Sequence, residues 1–312
     1  MPLATKAIKQ KIKSVGNIKK ITKTMEMVSV SKMRRAVDKA VSSRLYAKYA
    51  LELLVNLSKD KSVTNPLMVA GTSNKELIVL VTSNKGLCGG YHTNLLKALT
   101  LYINKNTDKP ARNADSIATA GGEIKIITIG KYAERISKKL NLPIFASFIN
   151  FSEYSEVEQT RELSDLIRQE FIEGNYKSVK ILYTQFLKST TYKPNMREIF
   201  PISLETVKNA VELIDEDLKD IKKDSLVDYQ FEPDLNTILE NILPGLVDIV
   251  VHQTLAESFA SEHSARMFAM KNAGDSATTI LDALMLSYNH ARQDGITREL
   301  SEIVAGAEAL NS

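Results

Sequence analysis

Through the last quarter of the chain a repeat runs at steps of three and four residues: Leu239, Ile242, Leu246, Ile249, Gln253, Ala256, Ala260, His263, Met267, Met270, Gly274, Ala277, Leu281, Leu284, Tyr288 and Ala291. The pattern keeps its register for roughly eight heptads and predicts a long helix whose seam needs a partner helix. From about Gly245 to Glu308 such a helix would be on the order of 95 Å long. It cannot pack wholly inside a chain of 312 residues, so much of it should project and meet other proteins. Leu and Ile hold the ends of the seam, while Ala, Met and Gly fill its middle and let two backbones approach closely.

A second pattern of this kind opens the chain. From Leu3 to about Lys59 there is no proline and a single glycine, Gly16, and apolar side chains fall at Ile8, Ile12, Val15, Ile18, Ile21, Met25, Val28, Met33, Val37, Val41, Leu45, Leu53 and Leu57. A continuous helix there would reach on the order of 85 Å. Two helices at opposite ends of the chain, each too long for one domain, most economically form an antiparallel coiled coil with the middle of the chain inserted at one end.

The period changes after a polar boundary at about Lys59 to Glu76, marked by Pro66 and Gly71. Leu77 to Thr82 is a continuous apolar run suited to a buried strand, followed by a glycine-rich turn, Ser83 to Gly90, and a helical pattern from Tyr91 to about Asn104. After a loop from Lys105 to Glu123 come strand Ile124 to Ile129, helix Lys131 to Leu140, strand Ile144 to Phe148, helix Val157 to Glu173 and strand Val179 to Phe186. A turn at Ser189 to Asn195 and a last strand near Glu198 to Leu204 close the segment. Strands alternating with helices argue a mainly parallel sheet. The expected fold is α/β: a long antiparallel coiled coil of N- and C-terminal helices with an inserted Rossmann-like α/β domain. The expected divisions are 1–60, 75–205, an acidic connector over 206–234, and 235–312.

Charge adds an asymmetry that the net value of +4 conceals. From Met1 to Ala40 eleven Lys or Arg stand against Glu26 and Asp38, whereas Glu205 to Glu240 holds eleven acidic and four basic residues. Three readings compete for the basic face of the first helix: a solvated face, a nucleic-acid or membrane surface, and contact with an acidic protein partner. Nucleic acid is disfavoured because no stacking aromatic occurs before Tyr46, and a membrane surface because the helix offers Ser, Thr, Val and Met in place of bulky anchors. No run of about 18 apolar residues occurs and the start lacks a signal-peptide core, so a soluble, unexported chain without direct membrane insertion is expected.

Candidate chemistry is sparse. The turn around Gly86, Gly89 and Gly90 combines a strand end, glycines and a helix start, the ingredients of a phosphate cradle. It fits neither the dinucleotide fingerprint nor the P-loop, so structural glycines are the competing reading. Cys88 is the only cysteine, which excludes an internal disulfide, and no His and acid are spaced beside it to suggest a nucleophile. His92, His252, His263 and His290 show no metal-ligand spacing with it. No metal site or catalytic constellation is expected, and His263, on the seam, reads as a polar group packed beside the partner helix.

These residues resemble the γ subunit of F-type ATP synthases. The resemblance runs in order through Ile21-Thr22-Lys23-Thr24-Met25-Glu26-Met27-Val28 with Ser31-Lys32-Met33, then Gly86-Leu87-Cys88-Gly89-Gly90 with Asn94, then Ser261-Glu262-His263-Ser264-Ala265-Arg266-Met267 and Tyr288-Asn289-His290-Ala291-Arg292-Gln293, and ends on Ile296 to Ala309. The chloroplast type carries an added pair of regulatory cysteines that this chain lacks, so thiol regulation is not implied. The resemblance implies a non-catalytic central shaft turning inside a ring of α and β subunits, with the α/β domain against ε and the c-ring. It further implies that the shaft couples proton flow to ATP synthesis or hydrolysis at the cytoplasmic face of a bacterial membrane. ATP, ADP and Mg would be held by α and β, with no cofactor bound to this chain. By the same resemblance Lys23, Met25, Glu262, Arg266, Arg292, Gln293 and Thr297 are the expected contacts of the shaft with its ring, with Glu262 and Arg266 beside Met25. The plainer alternative for Glu262 and Arg266 is an intrahelical pair.

Overall fold

The structure, a computed structural model, describes residues 3–42, 65–106, 124–202 and 235–311. The sequence expectations for 43–60, for most of the 105–123 loop, for Leu204 and for the acidic connector lie outside the described residues. The elements are α1 (Leu3–Ser42), β1 (Glu76–Val81), α2 (Tyr91–Asn106), β2 (Ile124–Ile129), α3 (Lys131–Lys139), β3 (Ile144–Phe148), α4 (Val157–Ile172), β4 (Ser178–Lys188), β5 (Thr191–Phe200) and α5 (Leu235–Asn311). They fall into two compact units, Ser31–Ala265 and the pair Met1–Val30 with Arg266–Ser312.

In the larger unit a five-stranded sheet has the order β3-β2-β1-β4-β5. The first four strands are parallel and β5 is antiparallel to β4. β1 is buried on both faces, which is why its sequence is an unbroken apolar run. Leu77, Val79 and Val81 turn to one side, where they meet Leu163, Ile167 and Phe171 of α4 and Leu246, Val251 and Phe259 of α5. Ile78 and Leu80 turn to the other, against Leu95 and Leu99 of α2 and Ile136 of α3.

One strand corrects the sequence expectation. β5 begins at Thr191 and ends at Phe200, so the turn is only the two residues between Lys188 and Thr191, and Lys193 to Asn195 belong to the ladder. Pro194 reads as a turn residue in sequence, yet β5 is an edge strand that pairs on one side only, and there a proline costs no ladder hydrogen bond if its nitrogen faces away.

α5 starts ten residues before Gly245 and runs for 77 residues, about 115 Å at 1.5 Å per residue. Pro244 lies inside it, although a proline removes one helical hydrogen bond. Leu243 and Leu246 on either side are buried in the core, and that burial offsets the lost bond. From Val251 to Arg266 every residue is buried, so this stretch is covered all round and not along one seam. Its four hydroxyl side chains are accordingly bonded to the domain. Thr254 accepts from Arg197 Nη1 at 3.1 Å, Ser258 Oγ lies 2.8 Å from the Tyr91 hydroxyl, and Ser261 donates to the Thr184 carbonyl at 3.0 Å. Ser264 donates to the Ser189 carbonyl. Just before this stretch Asp248 accepts from Ser164 at 2.6 Å and from Arg161 at 3.1 Å.

The basic face of α1 is partly consumed within the chain. Lys32 pairs with Glu153, Arg35 donates to the Tyr154 hydroxyl at 2.6 Å, and Lys39 Nζ donates to the carbonyls of Tyr154 and Ser155, both at 3.0 Å, and to Glu156 at 2.7 Å. His263 joins the set, its Nε2 lying 3.4 Å from Glu153. Burial pushes the Glu153 carboxyl upward, but the hydrogen bonds from His263 and Lys32 outweigh it and hold its pKa at about 2, below the ordinary 4.5.

A lowered carboxylate pKa stabilises the fold above the unfolded value, and that stability is lost as pH falls through the folded one. Glu153→Gln should therefore cost on the order of 2–3 kcal/mol at pH 7. The difference from the parent should shrink as pH falls from about 4.5 and vanish near about 2. Urea unfolding of both proteins at pH 7, 4 and 3 reads this directly; a difference that stays constant with pH would contradict it.

The helix pair and the glycine turn as a candidate site

In the smaller unit α1 and α5 meet along a narrow line. A Cβ added to Gly274 would stand 3.4 Å from Thr22 Oγ1. Thr22 and Gly274 each lie near the inner end of their segment, so the two pair along their lengths only if antiparallel. On α5 the sequence register holds, since Met267, Met270, Gly274, Ala277, Leu281, Leu284, Tyr288 and Ala291 are all buried or half-buried. On α1 it holds only in part. Thr5, Ile8, Ile12, Val15, Thr22, Glu26 and Ser29 form the inner line, while Ile18, Ile21 and Val28 are about half exposed.

The physical reason is the short approach that a hydroxyl permits. Thr22 and Ser29 return their protons to the carbonyls of Lys19 (3.0 Å) and Met25 (2.7 Å) in the same helix. Their polarity is thus satisfied locally and they can be buried without a partner across the seam. Large apolar residues are left outside on both helices. Ile18, Ile21, Met27 and Val28 on α1 and Ile280, Met285, Leu286, Ile296, Leu300, Ile303 and Val304 on α5 are all exposed. So many exposed apolar side chains on one element mark an interaction surface.

The residues expected to contact a partner divide into two sets. Lys23, Arg292, Gln293 and Thr297 are exposed and Met25 is half-buried, so all five reach the surface. Lys23 makes only an exposed pair with Glu26 at 3.1 Å, an arrangement worth about 0.3–0.5 kcal/mol. Glu262 and Arg266 are buried within this chain, at 7% and 6% exposure. Glu262 lies close enough to Tyr91 that its charge adds to burial in pushing the tyrosine hydroxyl well above its ordinary value.

The glycine turn resolves to a structural element. A Cβ on Gly86 would meet the Tyr132 hydroxyl at 2.7 Å, so the space over this glycine belongs to a tyrosine and not to a phosphate. Gly89 takes φ +57°, and Leu87 is held at +61°. Gly90 is exposed, with only the Asn94 amide near it. The start of α2 that follows is tied to α5 through Tyr91 and Ser258. One local feature escaped the sequence reading: His92 sits against Cys88, with Nδ1 3.3 Å from Sγ and Nε2 2.8 Å from Ser83 Oγ. The i, i+4 spacing of Cys88 and His92 across the start of α2 was the available signal.

Gly86→Ala should destabilise the larger unit by about 1–2 kcal/mol, since Tyr132 is stacked on His92 at 3.8 Å and cannot swing away freely. Adding Tyr132→Phe, which removes the clashing hydroxyl, should recover much of that loss in thermal denaturation. A Gly86→Ala protein as stable as the parent would contradict this role.

Among the described residues no helix is long and apolar enough to cross a membrane. A family model described as ATP synthase matches residues 4–310. The ATP synthase gamma chain of Janthinobacterium sp. (strain Marseille) is 33% identical over 98% of this chain and 99% of its own length. That of Variovorax paradoxus is 36% identical over 98% of both. Among solved structures, a chain of the Euglena gracilis mitochondrial ATP synthase (OSCP/F1/c-ring) shares the fold with a TM-score of 0.63 at 18% identity, covering 98% of this chain and 94% of that one. A chain of the Tetrahymena thermophila mitochondrial ATP synthase central stalk and c-ring does so with a TM-score of 0.55 at 21% identity, over 81% and 99%. Matched along nearly its whole length by sequence and by fold, the chain belongs to the ATP synthase gamma-chain family.

Proposed function

We propose that this chain is the rotating central shaft of a proton-translocating F-type ATP synthase, with the helix pair inside a ring of α and β subunits and the α/β domain against ε and the c-ring. The observation that carries this reading is the distribution of apolar residues on the helix pair. Small and self-bonded residues, Thr22, Ser29 and Gly274, stand among the apolar residues of the seam, while many further large apolar side chains face outward, where only a surrounding protein would cover them. The family relationship and the central-stalk titles of the structural neighbours support the same reading.

The shaft acts by coupling and not by chemistry of its own. Each orientation of an asymmetric surface favours a different conformation of the β subunit it meets. Rotation therefore changes nucleotide affinity at sites on other chains, and nucleotide turnover there exerts torque in return. ATP, ADP and Mg are held by α and β, and no cofactor is assigned to this chain. Lys23, Met25, Arg292, Gln293 and Thr297 provide the contact, while Glu262 and Arg266, being buried, act by holding α5. The exposed end around Ile303 and Val304 turns in an apolar bearing. The complex sits at the cytoplasmic face of a bacterial membrane, with this chain peripheral to it.

The direct test is reconstitution with the cognate α and β subunits and imaging of a probe on a cysteine placed at exposed Leu101, with Cys88→Ser in the same chain. Stepwise rotation driven by ATP is expected; hydrolysis with a stationary probe would overturn the rotor reading. Met25→Lys tests the contact itself. A new ammonium at this half-buried position should grip acidic groups of the ring. Proton pumping per ATP hydrolysed is expected to fall severalfold while hydrolysis continues, and parental pumping efficiency would remove Met25 from the contact.

A further inference from the structure

Cys88 is the chain's only cysteine, and the rotor reading gives it no role. It does not stand by itself in the structure. The Ser83 hydroxyl has one proton, and it is donated to the Lys85 carbonyl at 2.7 Å. At the 2.8 Å contact with His92 Nε2 the Ser83 oxygen can therefore only accept. That places the proton of the neutral imidazole on Nε2 and leaves the lone pair of Nδ1 facing Cys88 Sγ at 3.3 Å. The ring is fixed in this orientation by stacking on Tyr132, with centroids 3.8 Å apart and planes 12° from parallel. Tyr132 in turn carries the Arg135 guanidinium at 5.0 Å from its ring centroid. A nucleophile, a base within reach and a third group that orients the base are thus assembled in one turn.

We propose that Cys88 is an activated thiol and a site of oxidation by small hydroperoxides, with His92 as its base and Ser83 as the residue that sets the tautomer. Burial of the thiol to 2% exposure limits the reagent to a small molecule, and it disfavours a standing thiolate. The proton therefore moves during attack. Cys88 Sγ attacks one oxygen of the peroxide, and the S–O bond forms as the O–O bond breaks. The thiol proton passes to His92 Nδ1 and from there to the departing oxygen, which leaves as water or, from an alkyl hydroperoxide, as an alcohol. Sulfur is oxidised by two electrons to the sulfenic acid and the peroxide is reduced by two. Through the step the developing imidazolium keeps its Nε2–H on Ser83. The inference stands on the glycine turn alone and does not depend on rotation.

The test uses the folded full chain with hydrogen peroxide and a dione trap for sulfenic acid, read by mass spectrometry at the Cys88 peptide. The parent should react at pH 7 at least about tenfold faster than His92→Gln. The parent rate should be nearly level from about pH 6.5 to 8.5, whereas the His92→Gln rate should rise about tenfold per pH unit as the thiol ionises. Ser83→Ala frees the tautomer and should slow the reaction severalfold at pH 7 with the melting temperature recorded alongside. If His92→Gln fails to fold, the parent pH profile and Ser83→Ala decide the matter. A parent profile that climbs about tenfold per unit like a free thiol, or a Cys88 that reacts only after denaturation, would overturn the proposal.

Discussion

A helix of 77 residues has to satisfy two different surroundings, and the rest of the molecule follows from how α5 does so. Between Val251 and Arg266 it is enclosed on every side and behaves as a core element. Enclosure of that kind costs free energy for each polar group left unbonded. Hydroxyls of Thr254, Ser258, Ser261 and Ser264, spaced about one turn apart, therefore bond to α2, β4, β5 and the turn after β4. Beyond Arg266 the same helix has only one covered line, and its remaining faces stay open. The α/β domain is the clamp that holds this helix at one end, which is what a transmitting element requires.

The open half is built for contact with other proteins, not for maximal pairing with α1. Leu-rich seams interlock deeply and bury their large side chains against each other. Here Thr22 and Ser29 occupy the seam, and their hydroxyls are already bonded to their own helix. The apolar area that would have stabilised the pair is instead presented outward by residues such as Ile21, Leu286 and Ile303.

Charge works differently in the two units. Lys32, Arg35 and Lys39 are spent on the loop from Glu153 to Glu156, where Glu153 is buried between Lys32 and His263. Such a group is strongly destabilising if one partner is removed, because the remaining charge stays buried. Lys6, Lys9, Lys13 and Lys20, in contrast, lie exposed along the first part of α1. A count of basic residues along the helix does not separate these two roles, since both sets are lysine at similar spacing.

Periodicity by itself determined the two long helices, the alternation of strands and helices, and the register of the seam on α5, because each depends on which side chains repeat at 3.5 or 2 residues. β2 and β3 begin and end where the apolar runs do. Sequence placed the seam of α1 only in part: Ile8, Ile12 and Val15 lie on it, but hydrophobicity favours Ile18, Ile21 and Val28 over Thr22 and Ser29, and Thr22 is rewarded by its near contact with Gly274. Nor could it assign β5, because the tolerance of Pro194 depends on which neighbour the strand pairs with. The burial of Glu262, the pairing of Glu153 with His263 and the approach of His92 to Cys88 were likewise decided by tertiary structure. Solvent exposure and donor geometry belong to the packed arrangement of elements, and one-dimensional order carries them only where a local period is shared.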